Sequence, residues 1–428
     1  MTGLSTSERR RLGTAYRTHL ERDVLPFWLS GPFDQVRGGV FTCLENESGR
    51  RVSDDKFVWS QGRFAWLMAH AARLVERGAL HGDRDVYLDA AVKTSTFLVD
   101  HAFLENGSCA YLLAGDGTKK EFREGEGHDI SFFADGFVAL GLAETARATR
   151  DAALLDRALT LYDDVRRRLS GGTVRMEPYP LPAGYSSHSV PMIMLNVSQE
   201  LERASRELGD ARHERLARDG LADMDTILGT FVRPDRSIQE VVPTDGPERL
   251  LTRHRTPGHA IESMWFVIEQ ALRHDRPDAI AVATEVMKTS IRIGWDEAHG
   301  GLLRFVSPDG GPPEGPADGP FERLILDTWD SKIWWPHSEA LYATLLGSIV
   351  ADDDELRAMH DRFYRYVMTT FPNPDRSVGE WIQIRDRMGR PLDKVVGLPV
   401  KDPYHVIRNL MLLVELCDGG IEARAAGA

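Results

Sequence analysis

Apolar residues recur every three to four positions along almost the whole chain, the spacing that gathers them on one face of an α-helix. Helices are expected over residues 5–29, 55–79, 84–104, 128–148, 151–169, 187–208, 211–230, 257–274, 279–294, 331–350, 353–371 and 403–417. They fall into six consecutive pairs. Short β-prone pieces interrupt the pattern: Gly39 to Cys43, Ser108 to Leu113, Gly301 to Val306 and Ser377 to Ile382. Each lies between helices and is short, which suits hairpins at one end of a helical body better than strands of a core sheet. Six helix pairs suggest an all-α fold, an (α/α)6 barrel, with the second helix of each pair lining a central pocket and the first wrapping outside. No composition break divides the chain, so residues 1–420 are expected to form a single barrel domain. Residues 307–320, rich in Gly and Pro, read as a loop, either a surface excursion or a lid. Residues 421–428 are expected to be a disordered tail.

At 428 residues the chain exceeds the usual size of one domain. A closed toroid accommodates that length, because each helix pair adds to one ring. The net charge of −13 argues against nucleic acid or an anionic membrane as partner. The three cysteines, Cys43, Cys109 and Cys417, are odd in number and far apart, so neither a disulfide framework nor a zinc site is indicated. The start of the chain is polar, with no signal peptide visible. The apolar runs fall short of the ~20 residues that span a bilayer. A soluble cytoplasmic protein is expected, and the sequence allows a homodimer.

Two histidines stand in helix-opening contexts: Pro257-Gly258-His259-Ala260-Ile261-Glu262 and Pro403-Tyr404-His405-Val406-Ile407-Arg408. Each follows a proline by two positions and has a charged residue three positions on, on the same helix face. Either histidine alone reads as a capping or packing residue. Together, two imidazoles on opposite sides of one carbon can take a proton from one face and return it to the other.

Further candidates sit on the helices expected to be inner. Arg63 lies among aromatic residues, with Trp59 and Trp66 at helical spacing. It is either a structural ion pair or a donor to a sugar oxygen. Asp135, in an aromatic run, either binds a sugar hydroxyl or satisfies an internal network. Glu262 can orient His259 or bind substrate. Glu-x-x-His is a metal pattern in helical bundles, but here the order is reversed and the residue three after His405 is the cation Arg408, so no metal is expected. Trp334, Trp335 and Glu339 form a stretch that suits a wall for a pyranose ring or ordinary core. No nucleotide, nucleophile-elbow or zinc-protease motif is present, and no organic cofactor is implied.

Five segments, taken in order, resemble the N-acyl-D-glucosamine 2-epimerase family, which includes renin-binding proteins, cellobiose 2-epimerases and mannose or aldose–ketose isomerases. They are Gly38 to Cys43, Trp59 to Arg63, Pro257 to Glu262, Trp334 to Ala340 and Tyr404 to Arg408. The resemblance implies an (α/α)6 barrel, His259 and His405 as the acid/base pair, and Arg63 at the reacting oxygens. It also implies Glu262 and Glu339 in the service of the pocket. With them, Trp334, Asp135, Trp59 and Arg408 are expected to bind substrate. Disaccharide and aldose–ketose members carry a further histidine on the sixth helix. Here that region reads Ser189 to Asn196, closer to the N-acylglucosamine branch, whereas Pro403-Tyr404-His405 is closer to the cellobiose and mannose branches. His188 lies near this region but does not align with the missing histidine. The resemblance leaves room for a nucleotide activator, as in some relatives.

The expected activity is cofactor-independent 2-epimerisation of a free aldose or N-acyl-hexosamine through a cis-enediolate. Proton delivery to C1 instead would make an aldose–ketose isomerase. A glycoside hydrolase needs two carboxylates ~5–9 Å apart, which Asp135, Glu262, Asp330 and Glu339 could supply, but it leaves the histidines unexplained. A non-catalytic interaction protein does so too.

Overall fold

The computed structural model describes residues 4–393 and 401–419. The chain opens with α1 (Thr6–His19), which runs through a π-helical turn (Leu20–Val24) into α2 (Leu25–Ser30). Helix pairs follow: α3 (Val58–Glu76) with α4 (Arg84–His101), α5 (Phe132–Thr149) with α6 (Ala152–Ser170), and α7 (Ser189–Leu208) with α8 (His213–Thr226). The short α9 (Leu250–Arg253) precedes the pair α10 (Pro257–Arg273) and α11 (Pro277–Gly294). The short α12 (Pro320–Thr328) precedes α13 (Trp334–Val350) and α14 (Asp354–Thr370), and α15 (Tyr404–Cys417) packs on α1. All twelve expected helices are present. The additional α9 and α12 lie in stretches whose periodicity is too short to register.

Six of these helices close a ring. α3 packs on α5, α5 on α7, α7 on α10, α10 on α13, α13 on α15, and α15 returns to α3. The chain is an (α/α)6 barrel. Burial separates the two layers: α5 is buried from Phe132 to Arg147 on every side, whereas α6 buries one stripe of Leu155, Ala158, Leu159, Leu161, Tyr162 and Val165. Inner-to-outer turns are short, and three end on an aspartate whose carboxylate caps the outer helix: Asp83, Asp151 and Asp353.

Outer-to-inner connections are long and share one end of the barrel. Isolated bridges close tight turns just after outer helices, Phe33 with Val40, Phe103 with Cys109, Val232 with Ile238, Trp295 with Leu302 and Pro372 with Trp381. Four of these overlap the β-prone pieces expected from sequence. Small ladders then form next to the inner-helix starts: β1 (Lys56–Phe57), β2 (Leu112–Leu113) and β3 (Lys119–Lys120) in one sheet, β4 (Tyr185–Ser187) with β5 (Val241–Pro243), and β6 (Lys332–Ile333) with β7 (Ile384–Arg385). One device repeats. A buried lysine two or three residues before an inner helix ties down the preceding turn. Lys56 reaches Asp34 and the Gly38 carbonyl, both at 2.8 Å. Lys332 reaches Asp296 at 3.1 Å and the Gly300 carbonyl. Lys401 reaches Glu380 at 3.0 Å and the Trp381 carbonyl at 2.6 Å. A buried ammonium is tolerated because each has an anionic partner and a carbonyl.

The connections around residues 178–185, 241–251 and 303–329 build a second small core of Val241, Leu250, Leu251, Phe305, Phe321 and Ile325. Residues 307–320 lead into it. Gly315 packs on Leu250, and Arg249 pairs with Asp318 and Glu322. None of residues 307–320 lines the pocket. The expected tail lies outside the described residues. Among the described residues, no helix is long and apolar enough to cross a membrane.

α3 and α5 meet backbone to backbone. A Cβ on Gly62 would lie 2.2 Å from the Phe137 carbonyl oxygen, and one on Gly141 2.2 Å from that of Gly62. Gly62→Ala should therefore destabilise the fold by about 1–3 kcal/mol through overpacking. Gly31→Ala, with open space around the new methyl, should change stability by less than about 0.5 kcal/mol. Chemical denaturation of both variants checks this. Equal stabilities would mean the two helices have slack at the crossing.

Candidate active site

The first turns of the inner helices surround a pocket at the end where the long connections lie. Its wall includes Trp59, Arg63, His259, Glu262, Trp334 and His405, all singled out from sequence. It also includes Phe133, Phe137, Tyr179, Met192, Ile193, Arg304, Trp335, Ile384 and Asp402.

His259 enters from the first turn of α10. Its Nδ1 lies 2.8 Å from Oε1 of Glu240, a fully enclosed carboxylate just ahead of β5. With Nδ1 engaged, Nε2 is the nitrogen left for the pocket. Burial works against a charged imidazole here, but the Glu240 carboxylate outweighs it and His259 titrates above its ordinary value. Burial likewise opposes the charge on Glu240, and the His259 and His188 imidazoles hold it well below the usual carboxylate range.

His405 enters from α15 and is held the same way, its Nδ1 2.7 Å from Oε1 of Glu339. Glu339 is crowded with donors. Arg408 Nη2 reaches Oε1 at 2.7 Å, Asn409 Nδ2 reaches Oε1 at 2.7 Å, and Trp265 Nε1 reaches Oε2 at 2.7 Å. Against the cost of burial, the Arg408 guanidinium and His405 keep it ionised, down to about 2. Arg408 also reaches Glu262 at 2.6 Å. The Trp335 indole touches both histidines, with ring centres 5.0 Å from His259 and 5.6 Å from His405. Gly258 makes this closure possible, since a Cβ there would lie 2.6 Å from the indole.

Arg63 makes the structural ion pair and also stands in the pocket wall. Its Nη1 donates to Asp402 at 2.7 Å, and its guanidinium lies over Phe137 at 3.9 Å while still lining the pocket. Its Nε is buried with no hydrogen-bond partner.

Three expectations need correction. Asp135 does not reach the pocket. It is fully buried and turned toward α6, accepting from Arg168 and from the Cys109 amide at 2.6 Å, and burial raises it to about 6. Glu339 and Arg408 are not in the pocket wall either. They stand behind His405 and orient it. Glu262, Glu339 and His405 do bring potential ligand atoms within 4.8 Å of one another. Arg408 already binds both carboxylates, so a dication there would face a guanidinium.

Glu240 and Asp402 were not foreseen. Glu240 precedes β5 in a stretch with no helical period, and only the β4–β5 ladder, with Ser187 opposite Val241, brings it to α10. Asp402 had a weak signal as an acidic residue just before Pro403, where it accepts from the Tyr404 amide at 2.7 Å.

Residues 39–408 match the family model described as N-acylglucosamine 2-epimerase (GlcNAc 2-epimerase). The chain belongs to this family. It is 31% identical over 402 residues to the N-acylglucosamine 2-epimerase of Bos taurus, covering 92% of this chain and 88% of that protein. It is 30% identical over 411 residues to that of Homo sapiens, covering 94% and 89%. In fold it is similar to cellobiose 2-epimerase from Spirochaeta thermophila DSM 6192, with a TM-score of 0.75 at 20% identity over 96% of this chain and 98% of that one. The protein is thus a sugar 2-epimerase, an isomerase-class enzyme with a small-molecule sugar substrate. The hydrolase and non-catalytic readings have no support from the family.

The Glu240 pairing makes a pH prediction. If His259 accepts a proton in the reaction it must be neutral to do so, and activity should then fall as pH drops through its raised titration point. Glu240→Gln removes the charge that raises it, leaving burial to push it down. The acid limb of kcat/KM should move to lower pH, and kcat should fall by on the order of tenfold or more. A variant whose acid limb stays in place would show that Glu240 does not set the basicity of His259.

Proposed function

We propose that the enzyme interconverts the C2 epimers of an N-acyl-hexosamine without a metal or organic cofactor, with His259 and His405 as the acid/base pair. The observation that carries this is the paired geometry. Two imidazoles rest against one indole, each with Nδ1 fixed by a buried carboxylate and Nε2 left for the same pocket. The open-chain sugar presents a C1 aldehyde. One histidine takes the C2 proton, the electron pair moves into a C1–C2 enolate, and the other histidine returns a proton to the opposite face. Arg63 is the cation best placed to stabilise charge on the C1 oxygen.

The apolar wall of Phe133, Phe137, Met192 and Ile193 favours an acyl group over a bare hydroxyl. The curated relatives near 30% identity are N-acylglucosamine 2-epimerases, which supports the same substrate class. Nitrogen at C2 also removes the aldose–ketose route, because a ketose needs oxygen on that carbon. The three cysteines are buried and free, which suits a reducing compartment, and on that ground we infer a cytoplasmic enzyme.

The test is turnover in D2O, followed by proton NMR, with N-acetylmannosamine, N-acetylglucosamine, mannose and cellobiose offered separately. The N-acyl sugars should convert and acquire one deuterium at C2. His259→Asn and His405→Asn should each lose net conversion by at least ~10²-fold. Each should retain C2 exchange of a different epimer. Near-normal conversion by either folded variant removes that histidine from the chemistry.

Because Arg408 occupies the carboxylates of the one potential ligand cluster among the described residues, conversion should survive exhaustive EDTA treatment. Loss of activity restored by one divalent ion would reverse the metal-free reading.

A further inference from the structure

Glu240 has a second imidazole beside it. His188, the residue before α7, is fully buried, and its Nδ1 lies 3.5 Å from Oε2 of Glu240. Its Nε2 lies 3.0 Å from Oγ of Ser263. Ser263 is one helical turn beyond His259 on α10, so the two share a face. The His188 amide donates to the Glu240 carbonyl at 2.9 Å, and the β4–β5 register fixes both residues side by side. Phe231 packs against the His188 ring at 5.6 Å between centres. One carboxylate therefore stands between two imidazoles, and one helix holds both the catalytic histidine and the hydroxyl that orients the second.

We propose that His188 is a positioning residue for epimerisation: Ser263 donates to its Nε2, its Nδ1–H is directed at the free oxygen of Glu240, and this holds the carboxylate in the orientation that serves His259. His188 does not line the pocket, so it acts through Glu240 and not on the sugar. Neither His188 Nδ1 nor Glu240 Oε2 has a hydrogen-bond partner of its own, and a donor facing that oxygen draws off part of the carboxylate's negative charge. His259 then feels a moderated anion, basic enough to take the C2 proton and acidic enough to give one back. The other charged groups acting on this cluster are Glu262 and Arg304 at His259, and the buried His254 near Glu240.

The inference rests on His259 being a catalytic base, and the test separates the two. Conversion of N-acetylmannosamine is followed across pH for the wild type and for His188→Phe, His188→Asn, Ser263→Ala and His259→Asn. His188→Phe keeps a ring but loses the donor. Its kcat should fall by about tenfold, the lower end of what an orienting partner of a functional imidazole contributes. Its acid limb should move to higher pH, because His259 now faces the undiluted charge. This is opposite in sign to the shift expected for Glu240→Gln. His188→Asn keeps a donor near the Nδ1 position and should restore the wild-type limb. Ser263→Ala leaves the His188 tautomer unfixed and should shift the limb the same way as His188→Phe by a smaller amount, which preserves the test if the phenylalanine variant does not fold. A merely structural role would lower stability and leave the pH profile alone. Unshifted profiles in the folded His188→Phe and Ser263→Ala proteins overturn the inference. Loss of conversion in His259→Asn alongside such unshifted profiles would leave the catalytic reading standing and this one refuted.

Discussion

A carboxylate buried behind each pocket histidine is the interaction on which the rest of the site depends. An imidazole at the mouth of a barrel is free to rotate and to present either nitrogen. Glu240 and Glu339 each remove that freedom by engaging Nδ1. A carboxylate enclosed by protein is costly unless donors surround it, so each one requires further structure. Glu339 draws in Arg408, Asn409 and Trp265 from two neighbouring inner helices. Glu240 draws in His188 and, through the β4–β5 ladder, the whole connection that precedes α10. The buried lysines play the same part for the turns, each fixing the approach to the inner helix that follows.

The other end of the barrel obeys the same rule with different groups. The later turns of the inner helices converge on a network closed to the pocket. Arg203 pairs with Glu200 and Glu269, Tyr342 donates to Glu269, and His70 lies between Glu144 and Glu415. An apolar plug would serve stability as well or better. What the charged plug adds is directional bonding between helices that are neighbours in space and remote in sequence, which fixes their rotation about their own axes. That rotation decides which first-turn side chains face the pocket, so the far end of the barrel helps set the near end.

Periodicity carried the fold because the helices that close the two layers are long enough to show their period, unlike the short α9 and α12, and because the outer helices have one polar face. It carried less of the site for a reason visible in α5. That helix is buried on all sides, so its sequence holds no sign of which flank faces the axis. Asp135 turns outward to Arg168 on α6, and no spacing rule distinguishes that from turning inward. The histidines were legible because helix starts carry proline and glycine signatures and because first turns point into the pocket. Glu240 was not, because its contact depends on strand pairing between segments more than fifty residues apart. Glu339 and Arg408 were expected to touch substrate and stand one layer behind the pocket wall: spacing places Arg408 beside His405 and the family resemblance points to Glu339, but neither carries depth.

The two backing carboxylates are alike in geometry and unlike in charge. Glu339 shares its charge with Arg408, a permanent cation at every relevant pH, so its influence on His405 is fixed. Glu240 instead has imidazoles beside it, His259 on one oxygen and His188 facing the other, with the buried His254 near. In the reaction proposed above either histidine begins as the base, and after each turnover the proton sits on the opposite partner from where it started. A proton arriving on His259 is met by an anion that His188 only partly neutralises, and a proton leaving it is compensated by the same donor. The two histidines are therefore held alike, each through Nδ1 by a buried carboxylate, and differ in the charge behind each face.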